Sequence, residues 1–527
     1  MRRTTTNINT TNINTTRLAM RVRFLIALLV FSTAASAQAT QTLIINADQG
    51  RDTISRHIYG HFAEHLGRGI YDGIWMKKSD GSWQIRDDVV QALRAIKIPN
   101  VRWPGGCFAD YYHWKDGIGD KARRPTLVNN NWGGVTEDNA VGTHEFLDLT
   151  QKLGTEPFVV GNLGSGTVQE MSEWWEYINQ PGGSPMAKQR AANGHPEPWN
   201  VRFWGVGNES WGCGGNMRPE YYADEFKRYA GFLPGYGRVR PFRIATGPSD
   251  DNYNWTEVMM RDAGRMIDGL DLHHYMLTGT WAQKGNATQF GEAEWAELLQ
   301  KATQFDALIA RHSTIMDRYD PQKRVWLVVG EWGTWHQGEP GSNPSFLYQQ
   351  NSLRDALVAA VSLNTFNQHA DRVKMANIAQ TVNVLQAMIL TQGDKLLMTP
   401  TYHVYEMYTV HHDAVMLPMT LDAGRYTFGD RTMPAVSGSA SRDASGKIHI
   451  TLTNLDPNQP RTINASVRGH AVSSVTGRVL TSDRMTTFNS FEAPNAIHPV
   501  AFSGAKLTGN ALSITLPPKS VVVLELR

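Results

Sequence analysis

Residues 202–210 read RFWGVGNES, a short apolar run that stops on an asparagine–glutamate pair. The run has the length and bulk of a buried strand. Gly205 and Gly207 suggest the start of a dinucleotide-binding fingerprint, but the third glycine is missing and the chain passes straight into Asn208 and Glu209. A doubly wound open sheet is therefore the weaker reading. The same pattern, an apolar strand closing on polar or aromatic residues, recurs along the chain. Candidate strands are Ile58–Phe62, Asn100–Pro104, Pro157–Leu163, Arg202–Asn208, Phe242–Gly247, Leu270–Tyr275, Val325–Gly330 and Lys374–Ala379. Helical periodicity follows several of them, at Asp87–Ile96, His144–Lys152, Pro219–Gly231, Trp295–Arg318 and Leu347–Thr365. Eight strands alternating with helices predict an α/β fold of the (β/α)8 TIM-barrel type.

Outside this region the pattern changes. After about residue 399 short strand-like runs take over: Val436–Ser441, Lys447–Asn454, Arg461–Val467, Ser473–Leu480, Ala511–Leu516 and Val521–Leu526. They predict a C-terminal all-β, jelly-roll-like sandwich. The alternating segment QTLIINADQG (41–50) precedes the barrel and is expected to complete that sandwich. At the other end, Arg21 and Arg23 precede the apolar run Phe24–Phe31 and the small-residue site Ala35-Ser36-Ala37. This is the pattern of a secretory leader cleaved near Ala37, which predicts a secreted or periplasmic protein. The expected division is a leader with an upstream low-complexity stretch over 1–37, the N-terminal strand over 38–57, the barrel over 58–398 and the sandwich over 399–527.

Composition narrows the chemistry. With 527 residues and 41% hydrophobic content the chain can fill a large core. A net charge of +2 gives no reason to expect nucleic acid or a membrane surface as partner. The 16 tryptophans and 17 tyrosines stack well on sugar rings but also fill cores, so they favour a carbohydrate protein only weakly. Cys107 and Cys213 are the only cysteines. They make neither a disulfide framework nor a zinc pattern, and whether they pair is open.

In a TIM barrel the C-terminal strand ends converge on one face, which holds the active site. That face collects Glu64 after the first strand, Asn208 and Glu209 after the fourth, His273 and Tyr275 at the sixth, Glu331 at the seventh and Gln380 at the eighth. Glu209 and Glu331 form the natural pair for glycosidic cleavage, in which one carboxyl protonates the leaving oxygen and the other attacks the anomeric carbon or activates water. An isolated glutamate at a strand end is more often an ordinary ion-pair partner; two after apolar strands, one of them in an Asn-Glu pair, favour catalysis. His57, His61 and His65 recur every fourth residue, but on a strand-to-loop segment that spacing does not build a zinc site. Asn208-Glu209-Ser210 matches a glycosylation sequon, which its place in a barrel mouth argues against. No base lies near Cys107 to activate it, so it reads as pocket lining.

Together, IYGHFAEHLGRGIYDGIW (58–75), NVRWPGGCFADYYHWKDGIG (100–119), GVGNESWGCGGNM (205–217), DLHHY (271–275), GEWGTW (330–335) and MANIAQTVNVLQAMI (375–389) resemble the α-L-arabinofuranosidases of glycoside hydrolase family 51. The resemblance spans about residues 42–527. It implies a retaining double displacement with Glu209 as acid/base and Glu331 as nucleophile. It places Glu64, Cys107, Asn208, Tyr275 and Gln380 against the furanose, Trp132 on a loop lining the site, and Arg102 and His273 in support of the carboxylates. It implies exo-release of terminal α-L-arabinofuranosyl groups from arabinoxylan, arabinan or derived oligosaccharides, with no metal or cofactor, and leaves a homo-oligomer open. Trp103 stands where the family more often has Tyr, and Gly333 where it has a bulkier residue. The loops Leu277–Phe290 and His336–Phe346 are expected at the barrel mouth. The alternatives are an endoglucanase or β-xylosidase on the same scaffold, an inactive carbohydrate-binding barrel, or a metal-dependent hydrolase built on the histidines.

Overall fold

The computed structural model describes residues 41–509 and 511–527. The leader expected over residues 1–37 lies outside them. Eight parallel strands close into a barrel in chain order: Gly60–Phe62, Asn100–Trp103, Glu156–Gly161, Phe203–Val206, Phe242–Ser249, Gly269–Met276, Trp326–Thr334 and Val373–Ala379, the last pairing back onto the first. We call them barrel strands one to eight. All eight coincide with candidate strands. The differences are at the ends. Arg56–Tyr59 forms a 3-10 turn before strand one, and strand seven continues past Gly330, so Glu331 sits within a strand instead of beyond one.

The barrel interior is filled from below by Phe158, Val160, Phe203, Ile244, Val328 and Met375, all buried. Glycines make room where bulk converges: a Cβ on Gly205 would stand 3.1 Å from Val160 Cγ2. Packing of this kind makes the lower barrel a core and leaves only the upper face open for chemistry.

Helices cover the outside. Asp87–Ala95, Thr143–Leu153, Pro219–Ala230, Glu292–Asp317 and Leu353–Gln368 correspond to the periodic segments of the sequence. The last (LRDALVAAVSLNTFNQ) is buried around its whole circumference over residues 353–367, Arg354, Asp355, Asn364 and Asn367 included. A helix buried on every side needs partners on every side. The barrel provides one wall and the C-terminal sandwich the other. Polar side chains on its sandwich side are satisfied there: Asn364 Oδ1 accepts from Thr451 Oγ1 (2.7 Å) and Ser439 Oγ (3.1 Å), Asn367 Nδ2 donates to Ser439 Oγ (3.1 Å), and Gln368 Nε2 donates to the Gly438 carbonyl.

The sandwich consists of a five-stranded and a six-stranded sheet. The N-terminal strand Gln41–Asn46 lies inside the five-stranded sheet, parallel to Arg461–Arg468 and antiparallel to Met419–Asp422. It buries Leu43 and Ile45 on alternate positions. Among the described residues no helix is long and apolar enough to cross a membrane.

Candidate active site

The polar residues of the strand ends meet at the upper face. Glu331, on strand seven, is held from two sides: Arg102 Nη1 on strand two donates to its Oε1 (2.6 Å), and the Tyr275 hydroxyl on strand six donates to its Oε2 (2.7 Å). Arg102 also donates through Nη2 to Asn208 Oδ1 (2.5 Å), so one planar guanidinium fixes two groups at once. Asn208 is 2% exposed and engaged in that fork, which makes the sequon unreachable.

Glu209 lies just beyond strand four with a left-handed backbone, φ 38°. Such a conformation persists only where its surroundings impose it. The chain on both sides of it is tied down: Asp110 Oδ2 accepts the Asn208 amide (2.9 Å) and its Oδ1 the amides of Leu163 and Gly164 (2.8 Å each), while the Glu209 carbonyl accepts the amides of Gly212 (2.7 Å) and Gly214 (3.1 Å). The side chain of Glu209 meets His273 Nδ1 through Oε1 (2.8 Å).

His273 stands between the two carboxylates, with the same Nδ1 3.6 Å from Glu331 Oε1. On its far side Nε2 faces Asp271 Oδ2 (3.3 Å). Asp271 Oδ1 also accepts the Gly330 amide (2.7 Å), immediately before Glu331. Gly330 has no alternative, since a Cβ there would lie 2.0 Å from that oxygen. A single aspartate thus anchors both the histidine beside Glu209 and the backbone that carries Glu331.

These contacts separate the two glutamates electrostatically. Burial, reinforced by the charge of Glu331, raises the Glu209 carboxyl above its ordinary value, only partly countered by His273. Burial pushes Glu331 the same way, but the charges of His273 and Arg102 and the Tyr275 hydrogen bond outweigh it, leaving Glu331 below its ordinary value. Burial disfavours a charged His273, yet Glu331 and Asp271 raise it to about 10, so it is an imidazolium at neutral pH. One oxygen of Glu209 and one of Glu331 approach within 4.8 Å. An approach this close suits the short spacing of a retaining pair, about 5–5.5 Å between carboxyls.

Glu64 forms the neighbouring wall. Its Oε1 accepts from the Gly106 amide (2.9 Å), the Phe108 amide (3.2 Å) and Trp132 Nε1 (2.9 Å), and its Oε2 from Gln380 Nε2 (3.1 Å). Burial, followed by the Glu331 charge, pushes its carboxyl up to about 7. Gly106 closes the floor, because a Cβ on it would stand 2.8 Å from Glu331 Oε1. Tyr275 packs edge-on against Trp335 (5.1 Å between ring centroids), and Trp335 against the exposed Trp281 (5.4 Å); the two expected loops meet where the Gln337 amide donates to the Gly285 carbonyl (3.0 Å).

Two points raised by the sequence are settled by geometry here: the open pairing of the cysteines and the spread of the histidine ladder. Cys107 is disulfide-bonded to Cys213 and has no thiol to offer a hydroxyl group; its sulfur lines the wall beside Glu209. The histidine ladder does not converge. His57 meets the Asn100 amide (3.2 Å), His61 packs on Tyr405 and His65 pairs with Glu137 (2.9 Å), because a 3-10 turn followed by a strand sends the three rings different ways. The sequence reading missed Asp271 and Asp110. Asp271 was accessible from strand alternation, as it shares one strand face with His273 and Tyr275. Asp110 sits in a loop with no periodicity, and nothing local distinguishes it.

Comparison with known proteins adds the family. Residues 92–293 match the model "Alpha-L-arabinofuranosidase 1 domain" and residues 330–520 the "Alpha-L-arabinofuranosidase C-terminal domain". An "Intracellular exo-alpha-L-arabinofuranosidase" of Bacteroides ovatus is 48% identical over 514 residues, covering 96% of this chain and 100% of the relative. The crystal structure of the GH51 arabinofuranosidase from Xanthomonas axonopodis pv. citri superposes with a TM-score of 0.91 at 50% identity, covering 92% of this chain and 100% of that one. The chain belongs to the α-L-arabinofuranosidases of glycoside hydrolase family 51. An arabinose complex of the arabinofuranosidase from Thermotoga maritima shares the arabinofuranosidase fold with a TM-score of 0.81 at 29% identity, covering 92% of this chain and 99% of that one. The comparison also corrects the expected location. The Bacteroides relative is named intracellular, which overturns the expectation of a secreted or periplasmic arabinofuranosidase. That expectation rested on Arg21 and Arg23, the apolar run Phe24–Phe31 and the small residues Ala35-Ser36-Ala37, all outside the described residues.

Proposed function

We propose that this family 51 enzyme is a retaining, exo-acting α-L-arabinofuranosidase that removes terminal α-L-arabinofuranosyl groups from arabinoxylan, arabinan or oligosaccharides derived from them. The observation that carries the reading is the pair of close carboxyls pushed in opposite directions, Glu209 up and Glu331 down. Two such groups divide into an acid and a nucleophile. In the first step Glu331 attacks the anomeric carbon while Glu209 gives its proton to the departing glycosidic oxygen, leaving an arabinosyl ester on Glu331. In the second, Glu209 takes a proton from water as that water attacks the same carbon and frees Glu331.

The remaining residues follow from this division. Arg102 and Tyr275 keep Glu331 ionised and aimed. His273, held as an imidazolium, orients Glu209. Asn208, Glu64 and Gln380 present hydrogen-bonding groups to the furanose hydroxyls, with Trp132 and the Cys107 sulfur as walls. The compact surround of Glu64, Gly106 and Trp132 suits one terminal sugar. The test is hydrolysis of p-nitrophenyl α-L-arabinofuranoside beside the β-D-xylopyranoside, with and without EDTA. Fast release from the arabinofuranoside, unchanged by EDTA, is the expected outcome. Release only from the xyloside, or loss of activity in EDTA, would overturn the proposal.

A further inference from the structure

The Cys107–Cys213 bridge joins the loop after strand two to the loop after strand four, directly against Glu209. Cys213 Sγ lies 3.6 Å from Glu209 Oε2, the oxygen that His273 does not occupy. The ligand atoms of Cys107, Cys213 and Glu209 all fall within 4.8 Å of one another, and all three residues are only partly buried. Two sulfurs and a carboxylate in that space are a donor set for a thiophilic cation once the sulfurs are free. Zinc binds thiolate at about 2.3 Å and carboxylate at about 2.0 Å in tetrahedral geometry, which puts sulfur and oxygen about 3.5 Å apart. The Cys213–Glu209 distance already meets this. Opening the bridge lets the two sulfurs separate, and Cys107, whose sulfur lies within 4.8 Å of a Glu209 oxygen, completes the set.

We propose that opening the disulfide converts this wall into a three-ligand zinc(II) site, and that zinc held there stops catalysis. A dithiol reductant supplies two electrons and two protons: the Cys107–Cys213 bond breaks, the reductant closes its own disulfide, and two thiols remain. Zinc then takes the place of the two thiol protons, which pass to solvent, and Glu209 becomes its third ligand. A coordinated Glu209 can neither give a proton to the leaving oxygen nor take one from water. The inhibitory half rests on the role proposed for Glu209; the binding half does not.

The test uses the full chain, reduced with dithiothreitol, desalted without oxygen and checked for two free thiols, beside the untreated protein. Zinc chloride is titrated calorimetrically and the arabinofuranoside is assayed in parallel. The reduced protein is expected to take up one zinc per chain and lose activity, with EDTA restoring it, while the oxidised protein does neither. Loss of an outer-shell partner of a metal costs about 10–100-fold in affinity. Loss of a ligand in reduced Cys213→Ser is expected to cost at least about a hundredfold. Cobalt(II) provides a second readout, a thiolate-to-metal charge-transfer band in the reduced wild type that is absent from the oxidised protein. Equal zinc affinity before and after reduction, or no charge-transfer band with both thiols free, would overturn the site. One bound zinc with full activity would overturn the inhibition alone, and Glu209→Ala kinetics then report whether the role of Glu209 fails with it.

Discussion

Replacing Glu209 by Ala removes the proposed proton donor and leaves the nucleophile's own supports in place, since Arg102 and Tyr275 reach Glu331 without it. General acid catalysis contributes about 10²–10⁴-fold, or roughly 2.7–5.4 kcal/mol of barrier. That whole factor is expected to disappear from kcat/KM on an arabinosylated xylo-oligosaccharide, whose departing oxygen needs the proton. On an aryl arabinofuranoside with an acidic phenol the first step needs little help, so the loss there should be far smaller and should sit in the second step, with a burst of phenol. Azide, which needs no general base, should then restore turnover and give an arabinosyl azide. The pH profile supplies an independent check. Because burial raises Glu209, the acid form is lost as pH rises through its value, which sets the basic limb; Glu331, held low, must be ionised and sets the acidic limb. The variant should lose the basic limb and keep the acidic one. Equal losses on both leaving groups, or an unchanged basic limb, would refute the assignment of Glu209.

Asp271→Asn keeps an oxygen for the Gly330 amide but takes the negative charge from His273; with a charge-assisted hydrogen bond worth about 1.5–3 kcal/mol, kcat should fall roughly 10- to 150-fold with KM little changed. A fall confined to KM would show that Asp271 does not act through the carboxylates. Gly106→Ala places a methyl 2.8 Å from Glu331 Oε1, and displacing a reacting group by about 1 Å costs about 100-fold, so kcat should drop while the urea midpoint stays near wild type. Full activity in that variant would mean Glu331 is not fixed as described. His273 has a folded-state value of about 10 against 6.5 for the free side chain, so its stabilisation is complete below pH 6.5 and is lost as pH rises through 10. Urea midpoints should decline over that window in wild type and be flatter in His273→Gln; parallel declines would remove His273 as the cause.

The strands were legible because each is a short apolar run ending in residues a core cannot hold, and the pair Asn208-Glu209 is such an ending. The ends themselves were less legible. Strand seven extends through Glu331 to Thr334 because Tyr275 and Arg102 satisfy a carboxylate that hydropathy assigns to solvent. The disulfide depends on two loops meeting across the barrel mouth, which spacing along the chain does not encode. Asp110 is invisible for a related reason: its value lies in three backbone amides just beyond strands three and four, and an amide has no letter in the sequence. The helix Leu353–Gln368 was legible as helical periodicity over Leu347–Thr365, but its burial on all sides depends on the sandwich that covers it.

That helix has a consequence for how such a chain can be cut and inherited. The carbonyl oxygen of Asn364 finds its donors on the sandwich strands and on Tyr408, and the indole of Trp295 donates to the Leu455 carbonyl (2.9 Å). Recombination at the boundary near residue 399 would bring a foreign surface against these groups. The new neighbour would have to supply the same donors and acceptors at the same places, or leave polar atoms stranded in an apolar seam at about 1–3 kcal/mol each. Exchanging either half of this chain therefore carries a cost that only a neighbour with matching donors and acceptors avoids.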